Sequence, residues 1–185
     1  LRVSMDNGKH FVQAGSALPF GSLANLLVMP GEPGHLLAYG PNGIASTSDG
    51  GQHWQMVHNV QDNIFSMTTS GPNAPIYASG DAGIYVSQDG GQSFRLVETQ
   101  HSYDSLSAAP QQPEVLYGKS GLGVYRSADG GQTWSALPTI KGNLAALVAD
   151  FTNPNQVYLA LSFPVEVYRF QATKSAWQSI TPPAA

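Results

Sequence analysis

Three copies of one nine-residue segment recur at a fixed spacing of 40 residues: Ser46-Thr47-Ser48-Asp49-Gly50-Gly51-Gln52-His53-Trp54, Val86-Ser87-Gln88-Asp89-Gly90-Gly91-Gln92-Ser93-Phe94 and Arg126-Ser127-Ala128-Asp129-Gly130-Gly131-Gln132-Thr133-Trp134. A constant period of this size is the mark of one supersecondary unit stacked against copies of itself. Two weaker copies extend the series. Ser4-Met5-Asp6-Asn7-Gly8-Lys9-His10-Phe11 keeps the Ser, Asp, Gly and aromatic positions, whereas the segment around Ala172 keeps only its aromatic, Trp177. The key position therefore falls at 6, 49, 89, 129 and 172.

Each residue type in the segment has a mechanical reason to be there. A short aspartate side chain accepts hydrogen bonds from backbone N–H groups just ahead of it and closes a turn. The second glycine of the pair (Gly51, Gly91, Gly131, with Gly8 in the first copy) permits positive φ. The aromatic five residues after the aspartate (Phe11, Trp54, Phe94, Trp134, Trp177) opens the next strand and brings a large buried area to an interface. Alternating stretches such as Gly83-Ile84-Tyr85-Val86-Ser87 run up to each segment, so each segment reads as a tight hairpin between two strands.

The pattern Ser/Thr-x-Asp-x-Gly-x-x-Trp/Phe resembles the Asp-box, or bacterial neuraminidase repeat, found in sialidases, sortilin-type receptors, xyloglucanases and photosystem II assembly factors. The resemblance implies an all-β chain folded as a β-propeller, with the box between the third and fourth strands of each four-stranded blade. Four complete blades are expected at 22–58, 63–98, 104–137 and 143–180, and a half blade at 1–15, all in one domain. The expected closure is a five-bladed ring with one incomplete blade; a piece of a larger ring, or two chains completing each other, are the other solutions. The chain starts with Leu inside a blade, so an upstream segment is expected to have been removed.

Composition narrows the partners. Charged residues make up 11% of the chain, with 20 Gly and 13 Pro, which suits many turns between blades packed on both faces. There is no cysteine, and hence no disulfide framework or thiolate chemistry. The net charge of −4, without a Lys/Arg cluster, argues against nucleic acid. No apolar run is long enough to span a bilayer.

The box aspartates Asp6, Asp49, Asp89 and Asp129 are read as structural, since the turn itself needs the carboxylate. Repeat alignment instead places Ser22, Asn63, Asp104 and Asn143 where each inner strand begins, as a polar ring at one mouth of the channel. His58, Asp62, Asp81, His101, Tyr103, Lys119 and Lys141 are expected around it. The ligand-binding candidates are therefore Ser22, Asn63, Asp104, Asn143, Asp62, His101 and Tyr103, against the plainer reading of ordinary loop polarity. Neither a metal site nor a cofactor is indicated by the spacing of His and carboxylates.

Sialidases are similar to one another in clamping a carboxylate with three arginines. The four here (Arg2, Arg95, Arg126, Arg169) fall at the box end of the blades. The functional expectation is a non-catalytic scaffold that binds a protein or peptide through its loop face, in an extracellular, periplasmic or cell-surface setting. A carbohydrate-binding module or sialidase-like glycosidase relative is one alternative. A self-associating propeller fragment, and so a homo-oligomer, is the other.

Overall fold

The computed structural model describes residues 2–4, 6–13 and 15–181. Leu1, Met5 and Ala14, which belong to the expected half blade, lie outside the described residues. The described chain contains strands and turns, with no helix among them. Its strands form one two-stranded sheet and four four-stranded antiparallel sheets, each built from strands consecutive in sequence. The two-stranded sheet is β1 (Arg2–Val3) and β2 (Val12–Gln13). The first full sheet is β3 (Asn25–Val28), β4 (Leu36–Gly40), β5 (Gly43–Thr47) and β6 (Gln55–Met56). The second is β7 (Ile64–Thr69), β8 (Ile76–Gly80), β9 (Gly83–Ser87) and β10 (Arg95–Glu98). The third is β11 (Ser105–Ala108), β12 (Leu116–Ser120), β13 (Gly123–Ser127) and β14 (Ser135–Ala136). The fourth is β15 (Asn143–Ala149), β16 (Gln156–Phe163), β17 (Val165–Gln171) and β18 (Ala176–Ser179).

The sheets pack face to face in sequence order, with β7 against β3 and β4, and β11 against both β7 and β15. Both faces of a middle sheet are thereby covered, and every residue of β8 and β9 is buried. Strand alternation here sorts side chains between two neighbours instead of between core and water. Ile76 and Ala78 face the first sheet, in a core with Leu37, Tyr39 and Ile44. Tyr77, Ile84 and Val86 face the third, with Leu106 and Leu116. Tyr117 and Val124 of the third sheet meet Val157, Leu159 and Phe170 of the fourth. The protein therefore has three inter-sheet cores.

Hydroxyls reinforce these cores. The inner strands are sheet edges, and their outward N–H groups lack a ladder partner. Leu106 N–H donates to Ser66 Oγ (2.9 Å), Ala108 N–H to Thr68 Oγ1 (3.1 Å) and Ala149 N–H to Ser107 Oγ (2.9 Å). In each case the preceding sheet supplies the acceptor that the ladder does not.

The half sheet is tied to the first full sheet by a bond from Ser16 N–H to the Gln52 carbonyl (2.9 Å). Closure into a five-position ring is not made by the described residues. Phe11 is 58% exposed where its counterpart Phe94 is 4% exposed. On the far flank, Val148 and Phe151 of the fourth sheet are 56% and 79% exposed. Strand limits also differ from the sequence expectation: β3 begins at Asn25, three residues beyond Ser22, and the outermost strands β6 and β14 shrink to two residues each.

The box glycines set how closely the sheets approach. A Cβ added at Gly91 (φ +88°) would lie 2.7 Å from Leu37 Cδ1 of the preceding sheet, whereas one at Gly50 (φ +73°) would meet nothing within 4 Å. Gly50→Ala should therefore cost only the left-handed backbone term, about 1–2 kcal/mol. Gly91→Ala adds overpacking and should cost roughly 1–3 kcal/mol more. Urea denaturation of the two variants measures the difference, and equal losses would contradict this picture of sheet docking.

Candidate functional site

Each box turn is closed by a hydroxyl and a carboxylate acting together. Thr47 Oγ1 donates to Asp49 Oδ1 (2.7 Å) and accepts from Gly51 N–H (3.1 Å). Ser87 and Ser127 repeat both bonds with Asp89 and Gly91, and with Asp129 and Gly131. The carboxylate then accepts the N–H four residues on: His10 for Asp6, His53 for Asp49, Ser93 for Asp89 and Thr133 for Asp129. That same residue also turns its side chain onto the second carboxylate oxygen. Ser93 and Thr133 do so by hydroxyl, both at 2.5 Å, and His53 by Nδ1 at 2.7 Å. This position looks variable in sequence, yet its side chain performs one task in all four boxes.

These bonds hold the box aspartates below their ordinary value. For Asp6 and Asp49 the main cause is the backbone N–H of His10 and of His53. For Asp89 and Asp129 burial is the largest single influence and pushes the other way, but the hydrogen bonds from Ser93 and Thr133 together outweigh it. A lowered folded pKa means stability that is complete above the unfolded value and is lost as pH falls through the folded value. Melting temperature should therefore lose nothing from these groups above about pH 5 and decline below about pH 4. Asp89→Asn should flatten that acid limb, and a wild-type melting temperature that rose on acidification would refute the assignment.

The opposite end of the sheets carries the inner-strand starts and the tips of the β4–β5, β8–β9, β12–β13 and β16–β17 hairpins. Here the candidate carboxylates are engaged in the scaffold. Asp62 accepts from Asn63 N–H (2.8 Å), Ala82 N–H (3.0 Å) and the Tyr85 hydroxyl (2.9 Å), bracing the β8–β9 tip. Asp104 accepts from Gly121 N–H (3.2 Å) and Lys119 Nζ (3.3 Å), bracing the β12–β13 tip. Asn143 is exposed, and its carbonyl accepts from Ser162 Oγ (3.4 Å). Ser22 is exposed in the loop before β3. Tyr103 is only 1% exposed and sits in the core between the second and third sheets. His101 turns toward Glu98 at the rim between those sheets (3.3 Å). His58 lies elsewhere again, in a cavity of about 940 Å³, which it lines with His35, His53 and Asp49 beside the box turns.

This end also exposes apolar side chains: Leu122 (60%) at the β12–β13 tip, and Phe163 (77%) and Val165 (79%) at the β16–β17 tip. Sequence reasoning missed these residues, because a hydrophobic residue at a hairpin tip looks like one belonging to the flanking strands. The arginines do not converge either. Arg126 reaches Asn155 of the next sheet (3.2 Å) and Arg169 reaches Gln178 on its own sheet (2.7 Å).

Residues 125–136, which hold the third box turn, match the family described as BNR/Asp-box repeat. The chain has a β-propeller fold and carries an Asp-box repeat at these residues. No curated protein sequence matches it. Among solved structures it is similar to the GH74 xyloglucanase from Xanthomonas campestris, at 18% identity and TM-score 0.71 over 97% of this chain and 34% of that one. An ancestral GH74 enzyme matches at 21% identity and TM-score 0.68 over 92% of this chain and 25% of that one. YCF48 bound to D1 peptide matches at 18% identity and TM-score 0.59 over 93% and 60%. This Asp-box propeller thus spans between a quarter and three-fifths of the length of these structures. At such identities the likeness speaks for the fold.

Proposed function

We propose that this propeller is a non-catalytic scaffold that binds a peptide or protein segment across its loop face. The observation that carries the reading is the exposure of Leu122, Phe163 and Val165 at the tips of the β12–β13 and β16–β17 hairpins, the first of which is braced by Asp104. Exposed apolar groups on braced turns offer hydrophobic anchor points at little ordering cost. General acid–base cleavage requires a carboxylate with lone pairs directed at substrate; Asp62 directs both of its oxygens at its own turn and hairpin, and Asp104 gives Oδ2 to Gly121 N–H and Lys119. YCF48, one of the similar structures, is bound to D1 peptide, which supports the same use of this fold. The reading includes an extracellular, periplasmic or cell-surface location, which cell fractionation tests.

A phage-displayed random peptide library panned on the intact chain provides the assay. Selected peptides should lose roughly 2 kcal/mol of binding, about thirtyfold, when Phe163 and Val165 are both replaced by Ser. Failure to select any peptide, or undiminished binding by the double variant, would reject the proposal.

A second reading, a glycoside hydrolase relative, draws on the likeness to GH74 enzymes. Release of reducing sugar from xyloglucan by the purified chain would favour it over the scaffold.

A further inference from the structure

On the rim between the second and third sheets lies a groove of about 460 Å³, lined by Glu98, Thr99, Gln100, His101, Gln132 and Trp134, with Val97 and Thr133 completing it. No lysine or arginine contributes to this lining. The Glu98 side chain is only 9% exposed. Its carboxylate accepts from Gln100 N–H (2.5 Å), His101 N–H (3.0 Å) and, more weakly, His101 Nδ1 (3.3 Å). Among the described residues its one ionic partner is His101. A nearly buried carboxylate without a fixed cation is costly, and a cation brought from outside would offset that cost.

The two rings that line the groove, His101 and Trp134, pack on the buried Tyr103. The Tyr103 ring stacks on His101 at 6.2 Å and 8°, and lies 4.3 Å from the Trp134 ring, centroid to centroid. The Tyr103 hydroxyl is buried without a hydrogen-bond partner. Burial is the main cause of its raised pKa, and the charge of Glu98 adds to it, so this hydroxyl feels the field of the carboxylate. Ring stacking alone is core packing, found also between Phe170 and Trp177. Packing gives no reason for a carboxylate to be held beside those rings, in a groove otherwise lined by amides and hydroxyls.

We propose that this groove binds an organic ammonium group, such as a lysine side chain on a partner protein, with Glu98 as counter-ion and Trp134 as a cation–π surface. The three N–H groups of a primary ammonium need three acceptors. A carboxylate offers about four lone-pair sites, so Glu98 keeps capacity beyond the three donors it has. The amide oxygens of Gln100 and Gln132 and the Thr99 hydroxyl are further acceptors on the lining. The indole face attracts the charge itself. This groove shares no residue with the apolar hairpin tips, so either proposal can fail while the other stands.

The test is amide NMR of the full chain titrated with methylammonium chloride, following the Gln100 and His101 N–H groups that bond Glu98. Potassium chloride at equal ionic strength is the control. Saturable shifts are expected with methylammonium and not with potassium. Glu98→Gln keeps an acceptor for both amides and should weaken binding about tenfold or more. Trp134→Phe, which restores the residue type found at position 94, should weaken it by a smaller factor and gives an independent check if the first variant folds poorly. Shifts that never saturate, that potassium reproduces, or that persist unchanged in both variants would overturn the proposal.

Discussion

The structure depends on one contact: the seating of the Asp89 and Asp129 box turns, stripped of side chains at their glycines, against the aliphatic surface of the sheet before them. Gly91 lies over Leu37, and Gly131 over Ile84. Backbone packed directly on a neighbour's side chains lets adjacent sheets approach until both their faces are buried. The aspartate and its Ser or Thr partner hold the turn in the shape that makes this approach possible. Removing the carboxylate would leave N–H groups unsatisfied, and adding a side chain would push the sheets apart, so the segment is constrained at both points.

The same constraint decides what many of the carboxylates do. Carboxylates in this chain stand mostly at turns, because turns are where backbone N–H groups lack ladder partners. Asp49, Asp89 and Asp129 satisfy those groups at one end of the sheets, and Asp62 and Asp104 do so at the other. A carboxylate occupied in this way is fixed and hydrogen-bonded, and it makes a good brace. Glu98 differs in degree: all three of its donors come from the loop directly after it, and it lines a groove instead of a hairpin tip.

The two surfaces proposed for recognition differ in their physics. The hairpin tips present apolar side chains whose burial would drive association through area. The rim groove presents a charge beside aromatic rings, which would select for the sign and shape of a ligand more than it would add bulk affinity. A propeller can carry both, since its repeated sheets act as a rigid frame and the connections between them vary without disturbing the cores.

The repeat was enough to specify sheets, turn positions and the radial order of the sheets, because period, turn chemistry and strand alternation are local properties. It also marked Asp6, Asp49, Asp89 and Asp129 as turn-closing groups, since their neighbours in sequence are the partners they bond. What the sequence left open were contacts made across sheets. Tyr103 resembles a loop tyrosine in sequence but is buried, because Trp134 folds back onto it from a position 31 residues later. Asp62 and Asp104 resemble free ligands, yet their partners are N–H groups on hairpin tips 20 and 17 residues away. Alternation told which side chains leave a strand on the same face. Only the packing of one sheet on the next decided whether that face met a neighbour, a groove or solvent.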